Sequence, residues 1–484
     1  MVKRRFTAAL LVSVCLAGMT AAQKAKGFVP DDRWITTASG TTGSAGDPIT
    51  LTWSLVPDGT SLTSEGPSNL ISFMDTKFGT GPGGADLTLR PWFGFFEDSF
   101  ARWTELGGIT YVYEPNDDGA TQGSSSSGSR GLLGVRGDIR IGAASIDGAS
   151  GTLAFNYLPD NGDMVLDSDD GAFFGNSSWQ HRRLRNTIMH EAGHGFGLNH
   201  VESSTSGFLL EPAISTDFDG PQFDDIRGLH WFYGDALEKT NGGQGNETAA
   251  NAFSLGSISA GSSVSIGTDA VDTLVGPNDT DFVSIDRHTD VDFFSFTVAG
   301  PSVVDLLLTP LGPTYDQGSE GGAQTSIDTS AISNLALDLY DTNGSTLLAS
   351  ANSTAAGFAE ALNAISLPTA GNYFVRITGN DEIVQFYQLD VAIQLPPTYL
   401  AADFNESGMV DAVDFGDWQE AFGVTSGADA DEDLDSDGFD LLMWQQQFGG
   451  ASGLQAASTA IPEPSALLLA LLAGLGAAMR RMSR

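Results

Sequence analysis

The stretch His190-Glu191-Ala192-Gly193-His194-Gly195-Phe196-Gly197-Leu198-Asn199-His200 decides how the chain is read. On an α-helix, His190 and His194 lie on one face, so both imidazoles reach the same point. Glu191 stands beside them, placed to take a proton from a water at that point. Gly197 can end the helix with a positive φ and turn the chain. The turn carries His200 back as a third ligand. Three neutral nitrogens around Zn²⁺ leave one position open for water, as in a catalytic rather than a closed structural site. His-Glu-x-x-His alone is weakly specific. The extended pattern, with glycine and a third histidine in register, is strongly specific. These three are half of the six histidines in the chain, a concentration that a solvated histidine-rich helix would not require.

This motif resembles the metzincin metallopeptidases, and their matrixin branch most closely. Other residues carry the resemblance over roughly 45–235. Asp224-Asp225-Ile226-Arg227-Gly228-Leu229-His230-Trp231-Phe232-Tyr233-Gly234 follows the matrixin helix after the site. Phe100-Ala101-Arg102-Trp103 is similar to their first helix, and Gly137-Asp138-Ile139-Arg140-Ile141 to a sheet strand. Gly151-Thr152-Leu153-Ala154-Phe155, Gly162-Asp163 and Leu166–Asp170 resemble the loop and edge strand above the cleft. The resemblance implies an α+β domain with a mixed twisted sheet and an active-site helix. It also implies one catalytic Zn²⁺ held by His190, His194 and His200, with Glu191 as general base. Asp167 and Asp170 align with matrixin calcium ligands; a solvated acidic loop is the alternative.

Two departures stand out. Metzincins place a methionine in a turn beneath the metal, whereas Leu210 of Leu210-Glu211-Pro212 falls at that place here and keeps an apolar floor. The matrixin structural zinc needs upstream histidines. This chain has none before His181, and Val165 and Asn156 fall where ligands would stand. A single zinc is therefore expected.

The net charge of −39 argues against a nucleic-acid partner, which calls for basic patches. With 59 glycines and only 17% charged residues, short strands and many turns are expected. Residues 1–22 read as a signal peptide: Lys3, Arg4 and Arg5, an apolar run from Ala8 to Met19, then Thr20-Ala21-Ala22. The single cysteine, Cys15, lies inside it, so the mature chain would have neither disulfides nor cysteine-based latency. Residues 460–484 hold Ile461-Pro462-Glu463-Pro464-Ser465, an apolar run from Ala466 to Met479, and a basic end. This tail resembles the PEP-CTERM sorting signal of Gram-negative-type bacteria. The resemblance implies an exosortase-type processing partner, membrane contact only through the tail before processing, and a secreted, envelope or extracellular-matrix location. An ordinary tail anchor is the alternative.

The catalytic domain is expected over 23–240, followed by a polar linker, Asn241–Asn246. Alternating runs over 246–396 (Asp292–Val298, Leu335–Tyr340, Tyr373–Ile377) read as a β-sandwich. They are similar to the pre-peptidase C-terminal domain of secreted bacterial peptidases, with Asp341-Thr342-Asn343-Gly344 as a hairpin turn. A binding or spacer role is the reading for this domain. Over 400–450 a repeat recurs at an offset of 26. Asp403, Asn405, Ser407, Asp411 and Asp414 pair with Asp429, Asp431, Asp433, Asp437 and Asp440, which are oxygen-ligand positions of an EF-hand-like Ca²⁺ loop. Each loop enters a short helix whose apolar face is Phe415, Trp418, Phe422 or Leu441, Trp444, Phe448. Gly408 makes the sharp turn in the first loop. Leu434 replaces it in the second, where weaker binding is expected. Two such units resemble a dockerin. That implies a cohesin-like partner, with a calcium-stiffened spacer as the alternative.

The chain therefore reads as a secreted zinc endopeptidase acting on protein or peptide substrates, with structural Ca²⁺. The rival is a non-catalytic, calcium-stabilised matrix or adhesion protein on a metzincin scaffold.

Overall fold

A computed structural model describes residues 27–450 apart from 41, 64, 124–129, 381, 396–398 and 432. The signal-peptide and sorting-tail readings lie outside the described residues. The chain forms two compact units, 1–394 and 395–484.

In the first unit, a five-stranded sheet runs in the order Ile109–Tyr113, Ile49–Leu55, Ile139–Ala144, Met164–Asp167, Ala154–Asn156. The first four strands are parallel; the last is an antiparallel edge. Ile139–Ala144 and Met164–Asp167 are buried along their whole length, as parallel strands covered on both faces are. Helix Phe93–Leu106 buries Phe93, Phe96, Phe100 and Trp103, a helical stripe facing the sheet. Its Trp103 indole donates to the Met189 carbonyl at 2.9 Å, tying it to the helix Arg182–Phe196 that carries His190 and His194.

Two further five-stranded sheets form a sandwich over 253–394. One runs Phe253–Ser257, Val291–Val298, Gly371–Gly379, Leu335–Tyr340, Leu347–Ala351. The other is built on Ser262–Ile266, Gln385–Gln394, Ser302–Pro310 and Glu360–Leu367, with Ser284–Ile285 paired alongside. Alternate residues of Ser302–Pro310 are buried, which is the half-buried pattern its sequence anticipates. The expected turn at Asp341–Gly344 is present. The Gly344 amide donates to the Asp341 carbonyl at 2.8 Å, joining Leu335–Tyr340 to Leu347–Ala351.

The sandwich is not hung on a loose tether. Asn246, at the end of the expected linker, is fully buried, and its amide donates to Asp292 at 2.9 Å. Phe282, Tyr315, Ile327 and Phe386 belong to the same hydrophobic core as Leu198, Phe223 and Ile226. Residues 241–244 of the expected linker are exposed, whereas Gly245 and Asn246 at its end are buried, Asn246 against a strand supplied later in the chain.

Among its described residues the second unit holds two helices, Ala412–Ala421 and Gly438–Gln447, each opened by an aspartate capping box, Asp411/Asp414 and Asp437/Asp440. The two halves interlock reciprocally. Trp418 donates to the Asp437 carbonyl at 2.8 Å, and Trp444 to the Asp411 carbonyl at 2.9 Å. The apolar face is shorter than the sequence suggests. Phe422 and Phe448 stand at the C-caps, exposed, with their rings against Trp418 and Trp444 rather than in the core.

Candidate metal centre

The helix Arg182–Phe196, which carries His190 and His194, ends at Gly197, whose φ is +127°. A side chain there would meet the Asp32 carbonyl at 2.5 Å, so glycine is required for space as well as conformation. The turn brings His200 back to the helix. The His190 Nε2 atom lies 3.1 Å from that of His194 and 3.2 Å from that of His200.

The outer nitrogens explain this orientation. His190 Nδ1 lies 2.6 Å from the Leu209 carbonyl, His194 Nδ1 2.6 Å from the Leu198 carbonyl, and His200 Nδ1 2.8 Å from Glu320 Oε2. Carbonyl and carboxylate oxygens carry no proton, so each Nδ1 is the donor. That leaves three Nε2 lone pairs converging on one point. Lone pairs this close repel unless a cation sits between them. Tetrahedral zinc with Zn–N of about 2.0–2.1 Å separates its ligand nitrogens by about 3.3 Å, so the trio fits that ion. Burial pushes the His190 imidazole well below its usual pKa and His194 down to about 4, which keeps both neutral, the ligand form.

Glu191 is buried beside them. Among the described residues its Oε2 has no hydrogen-bond partner, and burial raises its pKa to about 8. The group faces a cleft of 1410 Å³ whose walls include Ala154, Phe155, Asp170, Arg183, Pro212 and Ile214.

Beneath the histidines, Leu210 is buried against the helix. A Cβ on Gly193 would stand 2.8 Å from Leu210 Cδ2. The turn that carries Leu210 is held by Asp225, whose carboxylate accepts from the Leu209 and Leu210 amides at 2.8 and 3.1 Å and from Gln222 at 2.8 Å. Asp225 thus fixes the Leu209 carbonyl that orients His190. Burial raises Asp225 to about 7.

Other predicted ligands are placed less compactly. Asp167 accepts from the Asp169 and Asp147 amides, and Asp170 from that of Ser150. Among the described residues these two join no trio of acidic or histidine ligands. In the second acidic loop, Asp429, Asp431 and Asp440 come together, and Asp437 and Asp440 meet Asp435, a residue the repeat pattern did not mark. Asp433 stays outside both groups. The first loop's Asp403, Asp411 and Asp414 form no such acidic trio, its remaining ligand positions being the neutral Asn405 and Ser407; Asp403 accepts from the Ser407 and Gly408 amides at 2.9 and 2.8 Å, as Asp429 does from Asp433 and Leu434 at 3.0 and 2.9 Å. Gly408 has φ +87° and Leu434 φ +77°, so the leucine does occupy the glycine conformation.

Sequence reasoning missed two contributors. In the sequence, Asp225 stands out only as part of a helix pattern. Glu320 lies 120 residues from His200 in a glycine-rich turn, and nothing in one sequence connects them.

Comparison with known proteins finds two families along the chain. The Matrixin family profile matches residues 137–234, and that of the bacterial pre-peptidase C-terminal domain matches 317–379. Metalloendoproteinase 5-MMP of Arabidopsis thaliana is 30% identical over 166 residues, covering 31% of this chain and 41% of that protein. The chain thus spans less than half the length of this curated relative. Among solved structures, the pre-peptidase C-terminal domain of a Bacillus anthracis collagenase is 14% identical, covering 29% of this chain and 95% of that one, with a TM-score of 0.17. A carbohydrate-binding module, CBM36, solved with calcium and xylotriose, is 12% identical, covering 28% of this chain and 99% of that one, also at 0.17. The chain is multidomain, with an α+β matrixin-like domain and a β-rich pre-peptidase C-terminal domain. The matrixin match supports a zinc metalloprotease at the level of the family.

Proposed function

We propose that the chain is a secreted zinc endopeptidase that hydrolyses peptide bonds in proteins or peptides. The observation that carries this reading is the convergence of three Nε2 atoms beside a buried carboxylate with a free oxygen, at the floor of an open cleft. His190, His194 and His200 would hold the ion. Zinc, when bound, supplies Lewis acidity toward the scissile carbonyl and the attacking water. Glu191 takes the proton of that water and delivers it to the leaving amine, a role favoured by a raised carboxylate pKa. Ala154–Asn156 is the edge strand among the described residues and lines the cleft, where an extended substrate can add as a further strand.

The test is a peptide-library digest with and without chelator, on parent, Glu191→Ala and His194→Ala chains. Glu191→Ala should retain zinc and fold but lose most hydrolysis; His194→Ala should lose the zinc. An unchanged rate in Glu191→Ala would refute the base, and chelator-insensitive hydrolysis the metal. A parent chain that binds no zinc and hydrolyses no peptide would instead favour the adhesion reading.

We also propose Ca²⁺ binding by the 400–450 repeat, with a cohesin-like partner, and export to the envelope or matrix after exosortase-type processing. Supporting this are the two matched loops, with their capping boxes and reciprocal tryptophan contacts, and the tripartite C-terminal sequence.

A further inference from the structure

Two of the three imidazoles are oriented by carbonyls of their own domain. The third is oriented by a side chain from the β domain. A hairpin, Thr314–Ser319 with Thr325–Asp328, leaves the sandwich and pairs antiparallel with Val201–Glu202, the residues that directly follow His200. Val201 is opposite Ser319, and Glu202 is opposite Gly318. The next residue in the hairpin turn is Glu320, whose Oε2 meets His200 Nδ1 at 2.8 Å.

The turn is pinned on several sides. The Ser204 amide donates to Gln324 at 2.7 Å, the Asp316 amide donates to Thr205 at 2.8 Å, and the Gly321 amide donates to Glu202 at 3.2 Å. The base of the hairpin is anchored by Tyr315. Its ring is buried 5.1 Å from Phe208, and its hydroxyl lies between Asp224 and Arg227. Asp224 neighbours Asp225, the residue that holds the Leu209–Leu210 turn. One helix of the catalytic domain therefore supports the floor of the site and clamps the hairpin.

From this we infer that Glu320 is a positioning residue for the third metal ligand, so that the metal centre is shared between two domains. The inference rests on the metal-centre reading above. A carboxylate accepting from Nδ1–H fixes the tautomer with Nε2 toward the ion and holds the ring plane. His200 is the ligand that most needs such help. It sits on a turn beyond the helix, and its side chain is 28% exposed, whereas His190 is buried in the helix. The sandwich is then part of the protease site and not a spacer behind it.

The experiment uses the full chain. Zinc affinity is measured by competition with a chromophoric chelator for the parent, Glu320→Ala and Glu320→Gln. Unfolding midpoints are measured in chelator, and kcat and KM on zinc-saturated protein. Loss of such an outer partner costs about 10–100-fold in metal affinity. Glu320 is 59% exposed, so about ten-fold is expected for Glu320→Ala. The glutamine variant, which keeps an acceptor without the charge, should fall between alanine and parent. The metal-free midpoint should not move, and KM should change less than zinc affinity. A merely structural role would instead lower the metal-free midpoint and leave zinc affinity alone, which overturns the inference. Equal affinity in all three chains overturns it as well, while the parent's own zinc binding leaves the metal-centre reading standing. A parent that binds no zinc overturns both.

Discussion

Gly193 and Leu210 offer a quantitative test of the floor of the site. Leu210 is 1% exposed, and its Cδ2 stands 2.8 Å from where a Cβ on Gly193 would lie, with Cδ1 at 3.1 Å. In the parent, Gly193→Ala gains up to about 1 kcal/mol of helix propensity. It must then push Leu210 off its rotamer, an overpacking cost of about 1–3 kcal/mol. The net is destabilisation. Leu210→Ala alone should cost about 2–5 kcal/mol, through lost burial and a cavity. In that background the space is free, so Gly193→Ala should become neutral or stabilising. The double-mutant cycle should therefore show coupling of about 1–3 kcal/mol, within the range for residues in contact. Urea unfolding of the four chains in chelator measures it. If Gly193→Ala costs the same in both backgrounds, Leu210 does not pack there and the floor assignment fails. At the same position, Leu210→Met should cost below about 1.5 kcal/mol and stay active, because volume is nearly conserved. Leu210→Asn should cost several kcal/mol and impair zinc binding, since it strands an amide among apolar groups; an unpaired buried polar group alone costs about 1–3 kcal/mol.

Burial also predicts a pH dependence. Burial raises Asp235 to about 7 and, with Asp235 and Asp292 nearby, Glu238 to about 10. Both are raised above their unfolded values, so the folded state binds more protons. Their contribution is full below about pH 4 and is lost as pH climbs through 7 and toward 10. In chelator the urea midpoint should fall from pH 5 to pH 9, and Glu238→Gln should flatten that fall and raise the midpoint at pH 8; a midpoint rising with pH would refute this. Leu434 holds φ +77°, a conformation costing a non-glycine residue about 1–2 kcal/mol, so Leu434→Gly should tighten calcium binding by the second loop in a calorimetric titration. Adding Ca²⁺ to a 400–450 fragment should raise helix content and shield Trp418 and Trp444, and Asp403→Ala should weaken binding more than Asp429→Ala. Circular dichroism and fluorescence indifferent to calcium would reduce the region to an acidic linker.

What was legible in the sequence is what local chemistry specifies. A helix with histidines at four-residue spacing, a glycine at its end, and alternating strands such as Leu335–Tyr340 appear where periodicity puts them. The strand near Gly137 is displaced to Ile139–Ala144, because a strand's start depends on the register with its neighbours and not on its own residues. Phe422 and Phe448 fit a helical face by spacing, yet the helices stop just before them, so periodicity overran the cap. Asn241–Asn246 looked like a linker because polarity was the only signal, and the Asp292 that buries Asn246 is supplied by a later strand.

Glu320 marks where a single sequence stops being informative. A turn of Ser, Glu and glycines is what any exposed hairpin carries, and its composition holds no trace of the imidazole it meets. The link is made instead by Tyr315, five residues earlier, buried against Phe208 and Phe223 and hydrogen-bonded at Asp224. That apolar and ionic anchor fixes the hairpin's direction. The Val201–Ser319 pairing fixes its register, and one residue further along the carboxylate arrives at His200. A slip of one residue would turn Glu320 to the opposite face of the hairpin. The same anchoring fits the burial of Gly245 and Asn246 at the end of the polar segment between the two domains, whose residues 241–244 stay exposed. The sandwich must hold a fixed orientation to present Glu320, and a free tether could not impose one. If the domains are separated at Asn246, the catalytic half therefore loses an outer support of its third ligand as well as the apolar cover of Phe223. Restoring activity would then require both halves to reassociate through that core, not simply adding zinc.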